Sequence, residues 1–415
     1  MITKSVPRST NLLKRSFLSF YLGRTIDLAG GSMTPVVLTL GILTASGSIT
    51  DAGVVAAATM FPMLVLLVLG GVVADRGNRR TVLVVTNILS AAVRAGMGVM
   101  LLTGHYTLVA AIVLGVCSGF ISAFSGPAMR GIVPELVASD QLQRANALLA
   151  ATSSVVRVGG PLLAGILVAT LGGGPALVVD AVCAVAAALF YLRITSSTGE
   201  VKHQESIIQG LKTGWRTFSS IRWIWISSIS FAVINALNVA PLQILGSAIV
   251  LPVLGAAGWG AILSGRTVGM MLAGVLLVRR PLGSPLIYGR LIGTLSALPL
   301  IGFGATDNFW LLLIASFIGG AGFSVLGISY DSTLHTKVST TVLSRVSSYD
   351  DLIAYGSIPI AQILVGPAAE AFGNHQLAIW CGIGLILATL IPLIFPSIRA
   401  VDELPDASNH RMPSK

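Results

Sequence analysis

Charge is what this chain has least of. Only 10% of its 415 residues are Asp, Glu, Lys or Arg, while 54% are hydrophobic, and mean hydropathy is +0.86. Soluble domains carry about 25% charged residues. A water-facing globular surface is therefore excluded, and a multi-spanning membrane protein is indicated. Cysteine is as scarce: Cys117, Cys183 and Cys381 all fall inside apolar runs, which argues against a disulfide framework and a thiolate metal site. Five scattered histidines and no H-E-x-x-H or paired-Cys pattern offer no metal-dependent catalytic set, so neither an enzyme nor a cofactor is expected. Acids number 16 against 26 bases, for a net charge of +10. Such an excess can mark a nucleic-acid partner, but these bases recur in short loops instead of one patch, so none is expected.

What is present is apolar sequence in span-sized lengths. About 20 largely apolar residues cross a bilayer as a helix. Twelve runs qualify: 16–41, 51–73, 81–103, 106–129, 142–171, 175–194, 222–248, 256–278, 286–304, 308–333, 343–371 and 374–396. The basic residues before the first run imitate a signal peptide, but the run continues through Arg24 and Asp27 without a cleavage site and reads as a retained helix. This divides the chain into a first six-helix bundle (1–194), a linker (195–221), a second six-helix bundle (222–396) and a disordered tail (397–415). Within the linker, Ile207, Ile208, Leu211, Trp215 and Phe218 have the spacing of a surface-lying amphipathic helix.

Orientation follows from Lys and Arg. Twenty-two of the 26 fall at the N-terminus, in the linker, in the tail and in loops 2–3, 4–5, 8–9 and 10–11. All of these lie on one side, and the opposite loops have none. Both termini are thus expected in the cytoplasm of a cell-membrane protein. The halves also repeat. Gly71 and Arg76 recur 203 residues later as Gly274 and Arg279, while Leu142, Arg144, Gly165 and Gly172 recur 201 later as Leu343, Arg345, Gly366 and Gly373. Parallel repeats place a substrate site near mid-membrane between them, with access alternating by rocking.

Two motifs stand out. Between the second and third runs, Gly71-Val72-Val73-Ala74-Asp75-Arg76-Gly77-Asn78-Arg79-Arg80 packs four charges into six positions after a small residue. It resembles the G-x-x-x-D-R-x-x-R-R signature of major facilitator transporters, where the device holds the cytoplasmic side shut. That resemblance assigns a gate to Gly71, Asp75, Arg76, Arg79 and Arg80, with Asp75 pairing to Arg76 or Arg79. The second-half copy has Val278 where the acid would stand. In the fifth run, Gly160-Pro161-Leu162-Leu163-Ala164-Gly165 partly resembles the G-P-x-x-G-G signature of proton-coupled exporters; Pro161 kinks the helix while the glycines let it pack closely. Phe20 to Arg24, Gly126-Pro127-Ala128, Val133 to Leu136 and Leu142 to Leu148 resemble the macrolide-efflux and enterobactin-exporter branch. The second half matches less well.

Ionisable residues inside spans are costly unless paired or hydrated, which makes them functional candidates. Arg24 and Asp27 are one turn apart and can neutralise each other. Asp27 is roughly 17 Å from the start of its helix. Desolvation and the Arg24 charge act on it in opposite senses, so it can serve proton exchange or a permanent ion pair. Asp180, roughly 8 Å from the end of the sixth run, reads as interfacial or as a packing partner, and is the next candidate for proton coupling after Asp27. Glu370 reads as solvated. Arg94, Arg157 and Arg266 either pair across helices with Asp27 or Asp180 or face a watered cavity. Four span arginines against two acids leave two surplus positive charges, which favours a neutral or anionic substrate.

The resemblance implies a monomeric secondary transporter that exports a drug-like, antibiotic or siderophore-type small molecule against protons. An importer or lipid carrier of the same fold, or a non-transport receptor, scaffold or intramembrane enzyme, are the alternatives.

Overall fold

The computed structural model describes residues 15–74, 78–194, 215–216 and 218–403. In hydrocarbon every backbone donor and acceptor must be satisfied within its own segment, so apolar runs of this length become helices. The first six are α1 (Arg15–Ser46), α2 (Ile49–Ala74), α3 (Arg79–Leu102), α4 (Leu108–Leu136), α5 (Leu142–Leu171) and α6 (Gly173–Tyr191). After the linker follow α7 (Arg222–Ala240), α8 (Gly246–Arg279), α9 (Pro285–Gly293), α10 (Leu298–Ala305), α11 (Phe309–Lys337), α12 (Thr340–Phe372), α13 (Asn374–Leu390) and the four-residue α14 (Pro396–Arg399).

Among the described residues, eleven stretches are long and apolar enough to cross a membrane. One of them, Arg222–Arg279, has 58 residues and would be about 87 Å long if straight. It is not straight. Gly255, with φ 68° and ψ 178°, breaks it, a conformation that glycine adopts without a Cβ clash. Arg266 then donates a hydrogen bond of 3.0 Å to Asn238; 28 residues of unbroken helix would hold the two about 42 Å apart. The chain therefore doubles back at Gly255, between the runs expected at 222–248 and 256–278. Smaller irregularities sit at prolines, which lack the amide that continues a helix: a π-helical turn begins at Pro241, and a 3₁₀ turn separates α9 from α10 just before Pro299.

Two ends of the molecule differ. The end holding Gly47, Gly172, Gly255 and Gly373 has no Lys or Arg in its loops; the other holds Arg79, Arg80, Arg144, Arg279 and Arg280. At the neutral end one apolar core joins both sets of helices, including Leu40, Val55 and Ala164 with Trp259, Ile262 and Phe303. At the charged end there are two separate cores. Phe17, Phe20, Leu83, Ile132 and Tyr191 form one; Trp223, Leu286, Tyr330, Ile398 and Val401 belong to the other.

The closest approaches between the sets follow the same division. A methyl on Gly165 of α5 would strike the Ala256 carbonyl of α8, and one on Gly260 would strike the Pro161 carbonyl. Gln243 donates to the Pro35 carbonyl at 3.4 Å, and Thr50 donates to Glu370 at 3.2 Å. Glu370, expected to be solvated, is exposed and also joins α12 to the start of α2. Among the described residues, the two sets of helices share a core at the neutral end and have separate cores toward the charged end.

Three other expectations are corrected. The tail is ordered through residue 403: α14 and the 3₁₀ turn after it bury Ile398 and Val401 completely. Pro134 and Glu135, which fall between the runs expected at 106–129 and 142–171, lie in the last turn of α4. Arg290, counted among the loop 8–9 bases, is inside α9 and only 1% exposed. Residues 1–14, 404–415 and most of the linker, including Ile207, Ile208 and Leu211, lie outside the described residues.

Candidate functional site

Helix α1 is laid along α5 by two side-chain bonds. Tyr21 and Thr152 share a hydrogen bond of 2.9 Å, and Ser32 donates to the Val156 carbonyl at 3.4 Å. Arg24 and Asp27 fall between these points, beside the stretch of α5 that carries Arg157. The expected Arg24–Asp27 ion pair is not formed among the described residues. The reason is the direction of helical side chains, which lean toward the helix N-terminus. Arg24 leans away from an acid three residues C-terminal to it, the less favourable order for such a pair.

The buried ion pair is elsewhere. Arg94 of α3 donates to Asp180 of α6 at 2.8 Å, and Thr34 of α1 donates to the other carboxylate oxygen at 2.6 Å. Asp180 is 0% exposed. Gly30 makes room for it, since a methyl there would collide with the carboxylate. The packing-partner reading of Asp180 is thus the one its surroundings fit. Asp27 is half-buried, and the charges that face it are Arg94, Asp180 and Arg24.

Arg157 lies at mid-length of α5, about 21 Å from either end. It is exposed and lines a cleft of about 430 Å³, and Ser154, Thr267, Met270, Val275 and Ser324 are among its other walls. The Gly160-Pro161-Gly165 segment sits one to two turns away toward the neutral end. There Gly160 packs against Ser32 of α1, while Pro161 and Gly165 meet α8. Helices α5 and α8 touch at this segment and part around the cleft. Arg266 of α8, bonded to Asn238, also stacks 5.3 Å from the ring centre of Phe323.

At the charged end, Arg79 donates to Glu135 of α4 at 2.9 Å and to the Gly131 carbonyl. Arg80 donates to the Leu192 carbonyl after α6. Both arginines therefore tie α3 to helices of their own set. Asp75 and Arg76 lie outside the described residues, and Gly71 is in the last turns of α2. Glu135 was readable in sequence as part of the exporter-like Val133 to Leu136 segment, but nothing in its spacing pointed to Arg79, 56 positions away.

A second polar cluster went unrecognised in sequence. Arg290 donates to Ser227 at 3.1 Å and Ser230 at 3.0 Å, both on α7. Nearby, Asp350 of α12 accepts from Tyr330 of α11 at 2.9 Å and from Ser228 of α7. Arg290 stood too close to the basic loop, and Asp350 too close to the start of its run, to register as span charges. Their inclusion changes the charge balance. Arg290 joins the four span arginines and Asp350 the two span acids, so the expected surplus of two positive charges was drawn from an incomplete set.

Residues 11–415 match the family described as transmembrane secretion effectors. Over 409 residues the chain is 24% identical to the multidrug efflux pump Tap of Mycobacterium tuberculosis, covering 92% of this chain and 94% of that one. It is 28% identical over 157 residues to the enterobactin exporter EntS of Citrobacter koseri, 38% of each chain. In three dimensions it is similar to an inward-facing, unoccupied bacterial homolog of the human lysosomal transporter Spinster. That comparison has a TM-score of 0.72 at 16% identity and covers 94% of this chain and 97% of the other.

Proposed function

The chain belongs to the transmembrane secretion effector family of major facilitator transporters, and on that premise we propose that it is a proton-coupled exporter of drug-like, antibiotic or siderophore-type small molecules. Transport of small molecules across a membrane comes with the family; direction, coupling and substrate class are our reading. The observation that carries it is the cleft at mid-α5, lined by Arg157, one to two turns from the α5–α8 contact at the neutral end. Rocking the two sets about the α5–α8 contact would close the charged end and open the other.

The fold is read here as twelve crossings in two six-helix bundles, the run Arg222–Arg279 supplying two. Paired landmarks support the repeat: Gly172 and Gly373 end α5 and α12 with φ 90° and 82°, and Gly47 and Gly255 turn the chain with φ 67° and 68°. The charged end is assigned to the cytoplasm by the concentration of Lys and Arg in its loops. Reporter fusions after Lys415 and at Gly172 to Gly174 are expected to report opposite sides. The same side for both would end the twelve-crossing reading.

Within this reading, Arg79, Arg80 and the undescribed Asp75 and Arg76 brace the gate at the charged end. In the open state Arg79 is held within its own set by Glu135, ready to exchange partners when that end closes. Asp27 is the proton site favoured over Asp180, whose carboxylate is committed to Arg94 and Thr34.

Proteoliposomes holding the purified chain test the whole. An imposed pH gradient is expected to accelerate movement of a substrate drug, and collapse of the gradient to remove the acceleration. Identical rates with and without the gradient would refute proton coupling.

A further inference from the structure

Arg24 and Arg157 are the two span arginines with no hydrogen bond or ion pair among the described residues. Arg94 has Asp180, Arg266 has Asn238, and Arg290 has Ser227 and Ser230. The free two lie within electrostatic reach of each other, Arg24 on α1 and Arg157 on the stretch of α5 that α1 packs along. Arginine keeps its proton in proteins, so Arg157 brings a positive charge to the wall of the cleft and Arg24 adds a second within electrostatic reach of it. Asp27 is the acid nearby, and it answers to Arg94 as well. A positive field is therefore left at mid-helix.

The cleft adds a second property. Val158, Met270, Met271, Val275, Val278 and Ile328 make most of its wall; Ser154, Thr267 and Ser324 supply hydroxyls, and no acid lines it. A cation entering would meet arginine and find no carboxylate, whereas an anion would meet guanidinium forks that suit planar oxyanions. The methionines let the apolar wall adapt to more than one shape.

We infer that Arg24 and Arg157 bind the acidic group of an anionic amphiphile, a carboxylate, sulfonate or phosphate ester whose apolar body fills the cleft between α5, α8 and α11. This rests on the transport reading above and narrows its substrate class. The preference comes from where the unpaired arginines stand. A free solute is the occupant, since Arg157 is about 21 Å from either end of its helix, far below the level of lipid headgroups.

Pyrenebutyrate, its amide and pyrenebutylamine share one apolar body and differ in charge. Their binding to the full chain in phosphatidylcholine discs can be read by energy transfer from the protein's tryptophans, less the signal of empty discs. The acid is expected to bind about tenfold tighter than the amide, and the amine more weakly than either. Arg157→Gln and Arg24→Gln should each bring acid and amide to within about twofold, while Arg157→Lys keeps a preference because the charge remains. Equal binding of acid and amide by the parent, tightest binding of the amine, or an unchanged preference in both glutamine variants would overturn the assignment. The parent measurement decides even if a variant does not assemble. Competition by added phosphatidylglycerol would give the site to a lipid and overturn a free solute as occupant. Gradient-driven transport of uncharged and cationic drugs without acid preference would sink this inference and leave the transporter; acid preference without gradient-driven movement of any compound would do the reverse.

Discussion

Asp180→Ala is expected to destabilise the folded protein by about 3–5 kcal/mol, the cost of leaving a buried charge without its partner. Asp180 is wholly buried, and its carboxylate is the only acid bonded to Arg94 among the described residues. Its removal strands the Arg94 guanidinium between α3 and α6 and deprives the Thr34 hydroxyl of its acceptor. Heating purified protein in detergent and following the loss of monodisperse material measures the effect. Replacing both charges, as Arg94→Met with Asp180→Leu, should recover much of the loss, because a buried pair contributes little net stability over apolar packing. If Asp180→Ala melts with the parent, the pair is hydrated and the packing reading of Asp180 falls. If the double variant is as unstable as the single, the loss comes from shape and not from charge.

The second large effect concerns Asp27. Asp27→Asn should leave binding and substrate exchange intact and abolish the acceleration given by a pH gradient. Each charge that crosses the full potential is worth about 2.3 kcal/mol per 100 mV, so one titrating carboxyl supports useful accumulation. The absence of an Arg24–Asp27 ion pair sharpens the expectation, since removing the acid strands no bonded arginine and the variant should assemble normally. Transport in proteoliposomes with and without the gradient reads the result. Undiminished gradient-driven export by Asp27→Asn would move the proton site, with Asp350, bonded to Tyr330 and Ser228 but to no cation among the described residues, next in order. Failure to assemble would show a structural role for Asp27.

The lateral pairs of charges illustrate where one-dimensional reading stops. Arg24 and Asp27 are three apart in sequence, which suggested a bond that side-chain direction does not allow. Arg94 and Asp180 are 86 apart; the sequence offered Asp27 and Asp180 alike as partners for three arginines, and only the packing chose this pair. Arg290 and Asp350 were misjudged for a different reason. Each lies near a run boundary, and a count of apolar residues cannot locate a boundary within the turn or so that separates a loop charge from a buried one.

The sequence by itself determined that the chain spans a membrane, that it does so with helices, and where most of them begin and end. Long apolar runs leave the backbone no other way to satisfy its hydrogen bonds in hydrocarbon, and that constraint acts locally. The spacing of Gly165 and Gly172 against Gly366 and Gly373 also carried the repeat, because a close helix contact and a left-handed helix end each require glycine at a fixed place. Only the tertiary structure decided which charges are paired, at which end the two sets share a core and where the cleft lies. These depend on what faces a side chain from helices tens to hundreds of residues away, as Thr50 faces Glu370. Arg24 and Arg157 were legible as span charges; that they come within electrostatic reach of each other without an acid bonded to either came from the packing of α1 along α5.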